Sequence, residues 1–151
     1  MIEVHLFGQV LDAVESLMAD TPELHLRAHR RGVKAWFGGE KPPREHYEAQ
    51  LMARRHFDGV EGLVLEIGFH SEHKDAAANV EVLRRLEAAE TKWRKPLGAE
   101  AEAGIFFGAD NWRRVSEVWV EPDLEDPDLA FEVAARLVDY LVAIEPVVST
   151  R

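Results

Sequence analysis

The sequence predicts an α+β domain: a mainly antiparallel sheet of about six strands with helices packed on one face, in the order α-β-β-β-β-α-β-β-α. Three observations predict it. Apolar residues recur at three- and four-residue spacing in three segments, the period of a helix face. They recur at every second position in the segments between, the period of a strand with one buried face. The connections among the first four strands are of hairpin length, which antiparallel pairing allows and parallel pairing does not.

The first helix runs between about 4 and 19, where Phe7, Val10, Leu11, Val14, Leu17 and Met18 fall on one face. Thr21 and Pro22 end it, because proline lacks the amide hydrogen and disfavours helix before it. From Glu23 to Gly38 the period becomes two. A hairpin with Arg31-Gly32 as its loop sets Ala28 against Ala35 and Leu26 against Phe37 on one face, and Arg27 against Trp36 on the other. Gly38-Gly39 and Pro42-Pro43 mark the next loop. Residues 45–54 have a composition that also suits a helix, but the clean alternation of Leu63, Leu65, Ile67 and Phe69 requires a partner strand. As a strand, residues 45–54 supply it, with Tyr47, Ala49, Leu51 and Ala53 opposite Phe69, Ile67, Leu65 and Leu63.

A second helix spans 75–95, capped by Ser71 or Asp75, with Val80, Leu83, Leu86, Ala89 and Trp93 inward. Leu97-Gly98 closes it. Gly104–Phe107 and Val115–Val120 read as two short strands around a loop, Gly108–Arg114. The last helix starts at Asp126-Pro127, with Asp126 as N-cap, and runs to about Ile144 through Leu129, Val133, Leu137 and Leu141. Pro146 stops it.

A chain of 151 residues, 46% hydrophobic and 30% charged, is expected to form one domain over residues 1–151. It has no cysteine. Disulfides, thiolate nucleophiles, Cys-ligated zinc and iron–sulfur clusters are thereby excluded. No apolar run approaches the roughly 20 residues that span a bilayer. The N-terminus does not read as a secretory signal, so the expected location is cytoplasmic. The formal net charge is −10, but residues 23–55 hold eight Arg or Lys against four Asp or Glu. An acidic chain with a basic segment makes nucleic-acid binding over the whole surface unlikely and leaves local anion binding open. Phosphate-cradling glycine loops, the dinucleotide fingerprint, the nucleophile elbow and His-Glu-x-x-His are all missing.

On these registers the face away from the helices collects two constellations. Arg27, His29, Lys34 and Trp36 form a basic, aromatic patch suited to an anion or an acidic partner. Beside them stand His46, Glu48, Glu66 and His70. His46 falls opposite His70, Gln50 opposite Glu66, and Gly68 opposite Glu48, where its missing side chain leaves open space. Two imidazoles and two carboxylates are donors for a divalent ion, and a metal-bound water there suits hydrolysis. The plainer reading is a wet, polar sheet face. His70-Ser-Glu-His73 has histidines three apart, a metal spacing only within one helical turn. Asp123, Glu125, Asp126 and Asp128 lack the calcium-loop order and suit a helix N-terminus. Asn111-Trp112-Arg113-Arg114 sets an aromatic and two cations in the loop.

The run Gly62-Leu-Val-Leu-Glu66-Ile-Gly-Phe-His70, the Asn79-bearing helix ending in Trp93-Arg-Lys-Pro-Leu-Gly98, and Trp112-Arg-Arg-Val-Ser-Glu-Val-Trp119 together resemble an uncharacterised accessory domain found beside restriction-type nucleases. The resemblance covers residues 45–120 and implies a binding or accessory role. The expectation is therefore a non-catalytic binding domain, more an accessory than an enzyme. It would use the open polar face or the loops beside it, without a cofactor, to recognise a protein or small anionic ligand; a third reading is an interaction subunit that forms a homodimer. The alternative is a metal-dependent hydrolase or nuclease-like enzyme holding a divalent metal ion.

Overall fold

The computed structural model describes residues 2–149. Its elements are α1 (Ile2–Leu17), β1 (Leu24–His29), β2 (Gly32–Phe37), β3 (Glu45–Met52), a 3-10 turn (Arg54–His56), β4 (Val64–Ser71), α2 (Ala76–Ala88), α3 (Glu90–Leu97), β5 (Glu102–Phe106), β6 (Ala109–Val120) and α4 (Leu129–Val148). The six strands form one sheet in the order β1-β2-β3-β4-β6-β5, and every adjacent pair is antiparallel. The chain leaves β4, crosses as α2 and α3, enters the far edge as β5 and folds back as β6 between β5 and β4.

The alternating apolar residues of the central strands meet the helices. Val33, Ala35, Tyr47, Ala49, Leu51, Leu65, Ile67, Phe69 and Val115 share one core with Phe7, Val10 and Val14 of α1 and with Val133, Leu137, Leu141 and Ile144 of α4. Glu66 points to the other face. Residues 45–52 are a strand, and Tyr47↔Phe69, Ala49↔Ile67 and Leu51↔Leu65 pair as the alternation requires.

Several elements differ from the sequence expectation for identifiable reasons. The loop of the first hairpin is Arg30-Arg31, with His29 paired to Gly32, so the register slips by two residues and each side chain keeps its face. Gly32 belongs to the strand because β3 lies too close for a side chain: a Cβ there would sit 2.5 Å from the Ala49 carbonyl oxygen. Residues 109–114, expected as loop, belong to β6, and Phe107-Gly108 makes the turn with Gly108 at φ +72°.

The helix expected over 75–95 is two, broken at Ala89. Its inward face is rotated, with Val82 buried and Val80 47% exposed. The cause is Asn79, whose buried amide bonds Ser71 Oγ, the backbone of His73 and the Asn111 carbonyl. Asp75 is its N-cap, accepting the Ala77 N–H at 3.0 Å. Before α4, Asp126 accepts the Asp128 N–H at 2.9 Å and shapes the preceding turn; the cap position is Asp128 and makes no side-chain bond. Pro146 lies within the last turn and does not stop the helix. Leu17 is exposed at the end of α1, whereas Leu6 is buried.

The face away from the helices is not open. Met52, Val64 and Phe106 form a second small core there, joined by Phe57, Val60, Phe107 and Trp112. The β5–β6 turn and the 53–63 connection fold toward each other over this face, with the Phe57 and Phe107 rings 4.9 Å apart. Among the described residues no helix is long and apolar enough to cross a membrane.

Candidate metal centre

The pairing of β3 with β4 sets His46 directly opposite His70. In each strand a glutamate follows two residues on, Glu48 after His46 and Glu72 after His70. Side chains two apart share a face, and antiparallel strands run oppositely, so the two glutamates flank the histidine pair from opposite ends. Two His-x-Glu units thus converge about a local two-fold axis. Glu72 lies just past β4 and is held in line by its N–H bonding the Arg44 carbonyl at 2.9 Å.

The four side chains close on one point. His46 Nε2 stands 3.5 Å from Glu48 Oε1 and 3.5 Å from Glu72 Oε2. His70 Nδ1 stands 3.4 Å from Glu48 Oε1 and 3.5 Å from Glu72 Oε2. All four atoms lie within 4.8 Å of one another. Neighbouring ligand atoms about 2.1 Å from a divalent ion stand about 3.4 Å apart, as the four His–Glu pairs do, while the spread of up to 4.8 Å makes the set wider than a regular tetrahedron.

The outer atoms of the imidazoles fix which nitrogen faces inward. His46 Nδ1 bonds the Pro43 carbonyl at 2.9 Å, and His70 Nε2 bonds Glu66 Oε2 at 2.6 Å. With an N–H on each of those atoms, His46 Nε2 and His70 Nδ1 are the positions left for a second proton or for a metal ion. Both inward nitrogens are buried and have no hydrogen-bond partner among the described residues. Buried polar atoms normally find partners, and a nitrogen without one inside a ring of carboxylates is the condition a cation resolves. Glu66 in turn accepts from Gln50 Nε2 at 3.0 Å, and Glu48 Oε2 lies 3.2 Å from His29 Nε2.

Electrostatics agree. Burial disfavours the imidazolium of His70, yet Glu66 and Glu48 overcome it and raise its pKa to about 10. His46 is raised in the same way by Glu48 and Glu72. Burial pushes Glu48 and Glu72 upward, but the facing histidines hold both below the usual carboxylate range. The centre therefore favours positive charge, supplied by protons or by a divalent ion. Two imidazoles with two carboxylates match zinc, manganese or iron(II) rather than copper(I).

The histidines are closed in, with side chains 2% and 0% exposed, while Glu72 keeps 16%. Glu48 and Glu72 form part of the floor of a cleft of about 670 Å³, whose walls include Arg31, Lys34, Arg55, Phe107 and Trp112. Phe106 covers His70 edge-on, ring centres 4.8 Å apart.

The structure brings together His46, Glu48 and His70 of the sequence-derived quartet. Glu66 sits one bond further out, orienting His70, and Glu72 completes the set. The repeated His-x-Glu spacing is the signal that identifies Glu72. His73 turns away to Glu45 at 2.7 Å. Gly68 leaves no open space, because β6 fills it: a Cβ there would meet Ser116 Cα at 2.5 Å.

Of the basic patch, Lys34 lines the cleft and His29 contacts Glu48, whereas Trp36 is only 2% exposed. Its indole N–H donates to the Gly39 carbonyl at 2.8 Å, and its ring stacks on His25 with the Arg27 guanidinium 5.6 Å away. Asp123 and Asp126 accept backbone N–H groups in turns, as polar loop residues do.

Comparison with family models, curated proteins and solved structures finds no match. Two sequence expectations are corrected by the cluster itself. The absence of a cofactor is overturned by a buried His/Glu group suited to a divalent ion. The same group argues against the expectation that the domain is more an accessory than an enzyme.

Proposed function

We propose that the protein is a metal-dependent hydrolase whose ion is held by His46, Glu48, His70 and Glu72. The observation that carries the proposal is the pair of buried, unpartnered imidazole nitrogens directed at two carboxylate oxygens 3.4–3.5 Å away. A divalent ion there polarises a substrate oxygen and lowers the pKa of bound water, which is what hydrolysis at neutral pH needs. A purely structural ion would have little use for a cleft, and this one opens onto both carboxylates. His29 extends the site toward solvent. Its Nδ1 accepts the Arg31 N–H at 3.3 Å, so its proton lies on Nε2, facing Glu48, and links that carboxylate to water.

The test is metal titration of the chelator-treated protein by calorimetry with zinc and manganese, followed by turnover of chromogenic esters. One ion per chain, lost in His70→Ala, is expected, together with hydrolysis that chelation abolishes. Absence of metal binding would refute the proposal. An ion that alters only stability, with no ester turned over, would assign the site a structural role instead.

A further inference from the structure

We infer that the cleft takes a phosphate monoester carrying a planar organic group; this rests on the metal-centre reading above and names its substrate class. The charge at the cleft mouth is the first ground. The chain as a whole carries −10. Yet Arg31 on the first hairpin turn, Lys34 opposite Glu48 and Arg55 on the 3-10 turn all line this cleft. None of the three has a carboxylate partner among the described residues, in contrast to Arg84, Arg94, Arg114 and Arg136, which are paired. Among the described residues the Arg31 guanidinium makes only a long bond of 3.4 Å, to the Leu51 carbonyl.

With a divalent ion offsetting Glu48 and Glu72, the mouth keeps three uncompensated cations. A dianionic phosphate monoester answers that surplus better than a monoanionic carboxylate or phosphodiester. Arginine forks and a lysine point charge are the usual recognition groups for phosphate oxygens.

The second ground is the aromatic part of the lining. Phe107 and Trp112 line the cleft, which at about 670 Å³ falls within the range of small-molecule sites. Both are half-buried, held by the Phe106 ring at 6.1 Å and 5.8 Å. Such a wall packs a flat, apolar leaving group while the cations and the ion hold the phosphate. In the hydrolysis, the oxygen of water forms the new P–O bond and the ester P–O bond breaks. One water proton ends on the departing alcohol or phenol, and the other remains with orthophosphate.

The experiment uses the manganese-loaded protein. Direct metal titration comes first, so that failure of the metal centre, which removes this inference with it, is seen separately. Orthophosphate binding is then measured by calorimetry, and turnover is compared for 4-nitrophenyl phosphate, bis(4-nitrophenyl) phosphate, 4-nitrophenyl acetate and methyl phosphate. The expected result is phosphate binding, a preference for the monoester, and a lower KM for the aryl than for the methyl ester. The double variant Lys34→Gln/Arg55→Gln should raise KM at least tenfold while binding manganese as before. A metal-loaded protein that ignores orthophosphate, prefers the acetate or the diester, handles methyl phosphate as well as the aryl ester, or is indifferent to the double variant overturns the inference.

Discussion

Metal binding should stabilise this fold increasingly as pH rises, while the metal-free protein loses stability over the same range. For the metal-free state the sign follows from the histidines. The pKa of His70 is about 10 in the fold against about 6.5 unfolded. Its stabilising contribution is therefore complete below about pH 6.5 and is lost as pH climbs toward 10. His46 acts in the same direction. Glu48 and Glu72 are depressed, so their contribution is present above about pH 4.5 and lost on acidification. This cluster alone thus gives its greatest stability between about pH 4.5 and 6.5.

A bound ion offsets that loss above the window. It must displace the protons on both imidazoles, so its affinity rises with pH, by roughly two log units per pH unit while both are protonated and roughly one once a single proton is left. At a hundredfold excess over Kd an ion adds about 2.7 kcal/mol to the folded state. For a chain of this length that raises Tm by about 5–10 °C. Differential scanning calorimetry of chelated and zinc-loaded protein from pH 6 to 9 reads both slopes. A Tm gain that is flat with pH, or a metal-free protein that grows more stable between pH 7 and 9, would refute the reasoning.

Removing the carboxylate behind His70 should weaken the metal without removing a ligand: Glu66→Gln is expected to reduce metal affinity about 10–100-fold, and Glu72→Ala more, both by calorimetric titration. Gly68→Ala should destabilise by about 2–4 kcal/mol in urea, because the new Cβ meets the Val115 carbonyl oxygen at 2.4 Å and Gly68 lies at φ +156°. Leu65→Ala or Ile67→Ala should cost about 2–4 kcal/mol, since both side chains are wholly buried in the core. Asp126→Ala should cost under about 1 kcal/mol, because Asp126 shapes a turn and caps no helix end.

The sheet was legible where alternation was long. The β3–β4 register follows from Tyr47, Ala49 and Leu51 having to face Phe69, Ile67 and Leu65, since a slip of one residue would turn every apolar side chain outward. A slip of two residues leaves the faces intact, so the pattern of the first hairpin suits Arg31-Gly32 as the turn equally well. Glycine near a turn has two uses, and only the position of the neighbouring strand separates them. At Gly32 the use is close approach to Ala49, a contact between segments with no trace in local pattern.

The metal centre was half legible for a related reason. Register places His46, Glu48 and His70 together, but the apolar alternation stops at Phe69, so the pattern gives no sign that the strand face continues to Glu72. Glu66 shares that parity, and nothing in its sequence position tells a ligand from the residue that orients one. The distinction lies in depth: Glu66 is fully buried against Gln50 and the outer nitrogen of His70, whereas Glu72 stands at the cleft. Alternation by itself predicts an open, wet face, and with 108–114 as loop nothing in the pattern brings Trp112 or the turn beside Phe106 and Phe107 over the histidines. Once β6 extends back to Ala109, those aromatics cover the site, and burial turns four polar side chains on a sheet into a cluster with two nitrogens that need a cation.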